Sequence, residues 1–242
     1  MRSAPFATIS SAASQLVGQY GYVMQPRVDG DFMPDTPEAA LYQGRFNFSG
    51  PVVITHQQHE SNSAPWGGVN TDADVVTQLY AFFPGISTDA VQQILNLYPV
   101  ANYASPGLRF ADMQQSFHHT TKDLALTHAL KNQTWQGYMQ IPPATHAMDA
   151  QYYFYNGNPG VNASLALTFQ KYLLSFVITG NPNKMYRDAT SKVHWPKYGS
   201  QPANGPVQLV VNTTLPGNPF KIQYGDDLDD ARTLFWNRAL WY

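Results

Sequence analysis

Three strand-like runs, at residues 51–55, 135–141 and 207–212, stand far apart among helix signals, and their spacing constrains the fold more than any other feature. Pro51-Val52-Val53-Ile54-Thr55 is a compact β-branched run suited to a buried strand. The second run is stopped by Pro142-Pro143, which cannot continue a ladder. Helical stretches dominate the rest, so the class is α/β. Three strands are too few for a self-sufficient sheet in a chain of 242 residues. The expected architecture is an incomplete sheet with flanking helices.

The helix signals are local and chemical. Residues 1–20 read as a helix or helix remnant, and residues 21–35 as a loop. Thr36-Pro37-Glu38 supplies an N-cap, a first-turn proline and a first-turn acid, with Gly44 as the stop. Residues 71–83 open with Thr and two Asp and end at Pro84-Gly85, and residues 87–97 repeat that grammar before Pro99. Residues 108–132 form a longer helical region. Asn162 caps the clearest helix, where Leu165, Phe169, Tyr172, Leu173, Phe176 and Val177 recur at helical spacing before Gly180 closes it. A terminal helix is expected over residues 226–242, with acids in its first turn and an apolar face of Leu228, Ala231, Leu234 and Phe235.

Composition excludes several classes. The net charge is −2 and no Lys/Arg stripe occurs, which argues against a nucleic-acid or anionic-membrane partner. The absence of cysteine removes disulfides, thiolate metal sites and a cysteine nucleophile. No apolar run is long enough to span a bilayer. Residues 1–17 carry an arginine but are broken by Ser and Thr, so no signal peptide is read there. N-x-Ser/Thr sequons stand at Asn47, Asn132, Asn162 and Asn212. Chance would supply about two in a chain so rich in Asn, so the sequons tilt toward a secretory protein.

Two side chains stand where chemistry could be done. His146 leaves the end of the second strand on a small-residue turn, Pro142-Pro143-Ala144-Thr145-His146-Ala147-Met148-Asp149. Glu60 lies just past the first strand, in His56-Gln57-Gln58-His59-Glu60-Ser61. A histidine paired with a carboxylate gives a general base in a fixed tautomer. Gly-x-Ser-x-Gly occurs nowhere, so no nucleophile elbow can be read. Asp149 sits behind the histidine and braces the turn. The spacing in His56–Glu60 is not that of a metalloprotease helix, and no metal site is expected. His118 and His119 read as partly exposed helix residues that point apart. Tyr152-Tyr153-Phe154-Tyr155 reads as packing.

Several further segments carry a resemblance. Val28-Asp29-Gly30-Asp31-Phe32-Met33-Pro34 is one, and Gln43-Gly44-Arg45-Phe46 followed by the first strand and Glu60 is another. His146-Ala147-Met148-Asp149 with Tyr152-Tyr153-Phe154 is a third. Phe176-Val177-Ile178-Thr179-Gly180-Asn181-Pro182-Asn183, Trp195-Pro196-Lys197-Tyr198 and Phe235-Trp236-Asn237 complete the series. Each is weak alone, but in order and spacing they resemble the C-terminal half of type-B carboxylesterases, the cholinesterase and lipase relatives, most closely the fungal ones.

The resemblance implies the C-terminal portion of an α/β-hydrolase fold, with residues 1–242 as one partial domain. It implies Glu60 as the triad acid and His146 as the triad histidine, with the serine upstream of Met1. It implies no cofactor, a small-molecule or lipid ester as substrate once an N-terminal half is supplied, and secretion. There are departures. Ser61 and Ala147 replace glycines, and the latter costs little provided the turn does not need positive φ. His118-His119 and Thr233 stand where fungal relatives usually place cysteines. Gly67-Gly68 follows the acid, so it is not the oxyanion loop. This chain alone is therefore expected to be inactive as an ester hydrolase. The alternative is a non-catalytic binding protein of the same fold lineage.

Overall fold

The computed structural model describes residues 3–20, 28–185, 193–214, 216–225, 228 and 230–238. They fall into two units, Met1–Pro37 and Glu38–Tyr242. The first unit holds helix α1 (Phe6–Tyr20) and a turn built on Asp29. The Asp29 carboxylate accepts the backbone N–H groups of Asp31 (3.0 Å) and Met33 (2.9 Å), which holds its pKa below the usual range. Residues 21–27 of the expected loop lie outside the described residues. Helix α2 (Pro37–Tyr42) starts at its proline, and Gly44 follows at φ +71°.

In the second unit the caps act as the sequence implies. Helix α3 (Asp72–Phe82) opens with a reciprocal capping box: Asp74 N–H donates to the Thr71 hydroxyl (3.2 Å) and Thr71 N–H to the Asp74 carboxylate (2.8 Å). Ser87 caps helix α4 (Thr88–Leu97) and Ser105 caps helix α5 (Pro106–Gln115). A π-helical segment, Ser116–Thr120, joins α5 to helix α6 (Thr121–Ala129). The long helical region is thus one run with a wide turn inside it. A four-residue helix α7 (Ala150–Tyr153) precedes helix α8 (Ala163–Thr179), which begins at the Asn162 cap and ends on Gly180 at φ +70°.

The sheet has a strand more than the sequence reading supplied. Strands β1 (Val53–Gln57), β2 (Trp135–Met139), β3 (Val207–Val211) and β4 (Phe220–Tyr224) lie in that order. The first three run parallel, and β4 is antiparallel to β3. Strand β4 was signalled by Phe220, Ile222 and Tyr224 at period two, but polar neighbours and its edge position dilute that signal. Strand β1 begins two residues later than expected, because pairing starts where Trp135 N–H meets the Val52 carbonyl (3.0 Å). The terminal helix α9 (Ala231–Asn237) starts five residues later than expected, and residues 239–242 of the expected helix lie outside the described residues. Asp230 caps it, and Leu228 is buried ahead of it, so Leu228 is not on its apolar face.

Two cores result. Helices α3, α4, α5 and α9 enclose Val75, Leu79, Ile94, Phe110, Met113 and Trp236. Buried Arg109 fastens this core by donating to the carbonyls of Tyr98 (2.6 Å) and Leu95 (3.0 Å) and to Asp72 (2.9 Å). The sheet and α8 enclose the second core, with Met139, Leu209, Val211, Phe169, Tyr172 and Trp195. Tyr152 joins it and Tyr153 stacks on Phe169 at 5.0 Å. Phe154, expected to pack with them, is 81% exposed instead, because it caps α7 on the solvent side.

Candidate active site

Parallel pairing of β1 and β2 puts both carboxyl ends at one edge of the sheet, where open α/β sheets place their ligands. The pairing continues into the loops. Gln58 N–H donates to the Met139 carbonyl (3.0 Å), His59 N–H to the Ala144 carbonyl (2.8 Å), and His59 bridges Thr145. The next residue on each side is Glu60 and His146. Their side chains meet, although 86 residues separate them: His146 Nδ1 lies 2.5 Å from Glu60 Oε2. The other carboxylate oxygen accepts Gln57 N–H at 2.6 Å. An ionised carboxylate can only accept, so Nδ1 donates, and in the neutral imidazole Nε2 keeps its lone pair. The Glu60 side chain is 9% exposed and that of His146 66%, so the acid is held within and the base faces outward.

The loop after Glu60 is moored to α5. Ser61 N–H reaches Gln115, and Asn62 donates to Asp112 (2.8 Å), which also accepts from Tyr103 (2.7 Å) and Arg232 (2.8 Å). The turn carrying His146 is tied to β1 through Thr55, which donates to Asp149 (3.3 Å) and meets the Tyr153 hydroxyl. That turn corrects one expectation. Ala147 sits at φ +65° and Ala144 at φ +53°, so both alanines occupy the left-handed region that glycine fills freely. Positive φ was not free of cost here. Ala147→Gly is expected to raise stability by about 0.5–1 kcal/mol, the strain relieved less the greater entropy of the unfolded chain. Urea unfolding of the two proteins measures this, and a lower midpoint for the variant would contradict the strain argument.

The sequence reading missed a third side chain. His119, on the π-helical segment, brings its ring to 5.2 Å from that of His146. Donor atoms of Glu60, His119 and His146 all lie within 4.8 Å of one another, a set that could hold a metal ion. Burial, and then the imidazole of His146, push the His119 pKa down, while Glu60 opposes them. His118 turns elsewhere: its Nδ1 accepts from the Gln114 amide (2.5 Å), and burial pushes its pKa down to about 4. The wide turn rotates the two rings out of α-helical register, so spacing alone could not place them. The other histidines near Glu60 do not converge on it. His56 stacks on Tyr138 at 4.9 Å, and His59 Nδ1 meets Asn62 at 3.0 Å.

The fold is the C-terminal portion of an α/β-hydrolase. It superposes on a PNB esterase structure with a TM-score of 0.64 over 93% of this chain and 47% of that one, at 18% identity. The sequence is similar to Carboxylesterase patB of Aspergillus clavatus, 30% identical over 198 residues, which is 75% of this chain and 35% of the relative. It is also similar to acetylcholinesterase of Bungarus fasciatus, 26% identical over 253 residues, 89% of this chain and 39% of the relative. The chain therefore spans well under half the length of these curated relatives. No protein-family model matches it. The chain is type-B carboxylesterase-like, corresponds to a C-terminal portion, and lies in the carboxylic ester hydrolase lineage.

Proposed function

We propose that this chain supplies the acid–base half of a serine ester hydrolase, with His146 as general base and Glu60 as its carboxylate partner. The 2.5 Å contact between His146 Nδ1 and Glu60 carries this reading. The nucleophile is a serine outside these 242 residues, since no Gly-x-Ser-x-Gly occurs within them. His146 Nε2 takes the proton from the serine hydroxyl as its oxygen attacks the ester carbonyl. The imidazolium, stabilised by Glu60, then protonates the departing alcohol, and water releases the acid by the same relay. The substrate is a small-molecule or lipid ester.

Residues 1–242 form one partial domain in this reading. It is supported by the place of β1 at the edge of the sheet, where more strands can pair, and by Leu174, Val177 and Ile178 left exposed on α8. Secretion and glycosylation belong to the same proposal. Asn47 and Asn162 are exposed, whereas Asn132 and Asn212 are partly covered, so the first two are the sites expected to carry glycans.

A fluorophosphonate probe tests the serine mechanism. The chain alone is expected to take no label, because a base without a nucleophile forms no covalent adduct. Co-expression with a serine-bearing N-terminal portion of a type-B esterase is expected to produce labelling that His146→Ala abolishes. Stoichiometric labelling of the chain alone, or labelling of the assembly that ignores His146, would overturn the proposal.

A further inference from the structure

We propose that Glu60, His119 and His146 form a binding site for a divalent transition-metal ion of the Zn²⁺ type. Two imidazoles and one carboxylate are the donors Zn²⁺ takes in sites with an open fourth position. Here they arrive from three separate elements: the loop after β1, the loop after β2, and the π-helical segment between α5 and α6. Their donor atoms already lie within 4.8 Å of one another. Zinc bonds of about 2.0–2.2 Å place tetrahedral ligands roughly 3.4 Å apart, so a contraction of up to about 1.4 Å closes the widest gap, while the 2.5 Å hydrogen bond between Glu60 and His146 gives way to the ion as the ring turns.

The three side chains divide the work of that contraction. Glu60 is fixed from behind by Gln57 N–H, the kind of outer contact that orients a ligating carboxylate. His119 is half-buried, and no hydrogen bond to its ring is found among the described residues. Its neighbour His118 is engaged by Gln114 and does not compete. His146, 66% exposed, has room to rotate, and it leaves the fourth position open to water. The π-helical segment is itself a departure from regular helix of a kind that gathers at functional sites, and it is what aims His119 inward. Imidazole donors favour zinc, copper or nickel over the oxygen-seeking Mg²⁺ and Ca²⁺. Bound metal would take the lone pair of His146 and silence the base. That consequence, unlike the binding itself, rests on the ester-hydrolysis reading.

Calorimetric titration of the intact chain with ZnCl₂, supported by the visible spectrum of the Co²⁺ form, tests the site. One ion per chain is expected, with a tetrahedral cobalt spectrum and no response to MgCl₂. His119→Gln is expected to weaken Zn²⁺ by about tenfold or more. His128→Gln, on the exposed side of α6, is expected to leave the affinity unchanged. The far-downfield N–H proton of the Glu60–His146 hydrogen bond reports that the His119 variant is folded. Equal affinity in His119→Gln, or no Zn²⁺ binding by the folded chain, would overturn the site. Failure of the serine mechanism would leave the zinc isotherm untouched, so the two proposals fall separately.

Discussion

Replacing His146 by alanine is expected to lower ester hydrolysis by about 10⁴–10⁶-fold in an enzyme assembled from this chain and a serine-bearing portion. The loss is in kcat, with little change in KM, because proton transfer occurs only on the way to the transition state. Glu60→Gln is expected to cost about 10⁴-fold. The amide still fits beside Nδ1, but it no longer neutralises the imidazolium, and it can hold the ring in the wrong tautomer. Combining the two changes is expected to cost little more than His146→Ala alone, since the pair acts as a unit. In the chain by itself, Glu60→Gln is expected to remove the downfield imidazole proton, a readout that needs no substrate. An assembled enzyme that kept most of its rate without His146 would show that the contact is structural.

The largest stability effect is expected at Trp195. Its indole is fully buried, donates to the Gln136 carbonyl of β2 at 2.8 Å, and meets Tyr172 edge-on at 5.7 Å. Gly137 leaves the room: a Cβ there would come within 3.2 Å of the indole and 2.9 Å of Thr55. Asn183 holds the backbone of Trp195 from both sides, accepting its N–H and donating to its carbonyl, each at 2.8 Å. Trp195→Ala opens a cavity between β2 and α8 and is expected to cost about 3–5 kcal/mol. That is a large share of the roughly 5–15 kcal/mol that stabilises a domain. Trp195→Phe retains most of the apolar volume and is expected to lose far less. Denaturant unfolding of the three proteins gives the comparison, and a loss below 1 kcal/mol for the alanine variant would mean the sheet core closes over the gap.

How much of this was legible differs from element to element. Caps were legible because they are local: Thr71 and Asp74, Ser87, Asn162 and Gly180 act on backbone groups within a few residues of themselves. Strand β4 was half-legible, its alternation visible but its polar edge residues weakening the signal. The positive φ of Ala147 was not legible, because the residue type there argues against it and only the path of the turn imposes it. His119 was not legible either. An α-helical reading puts it one way, and a single wide turn puts it another.

Residue type and short spacing were enough for the α/β class, most of the helix starts and the candidacy of Glu60 and His146. Long-range pairing was needed to show that those two side chains touch, that His119 joins them, and that β1 is an edge strand among the described residues. The reason is range: a strand register shifted by one residue would swing Glu60 to the opposite face, and nothing within a few residues of Glu60 or His146 records which register the folded chain adopts.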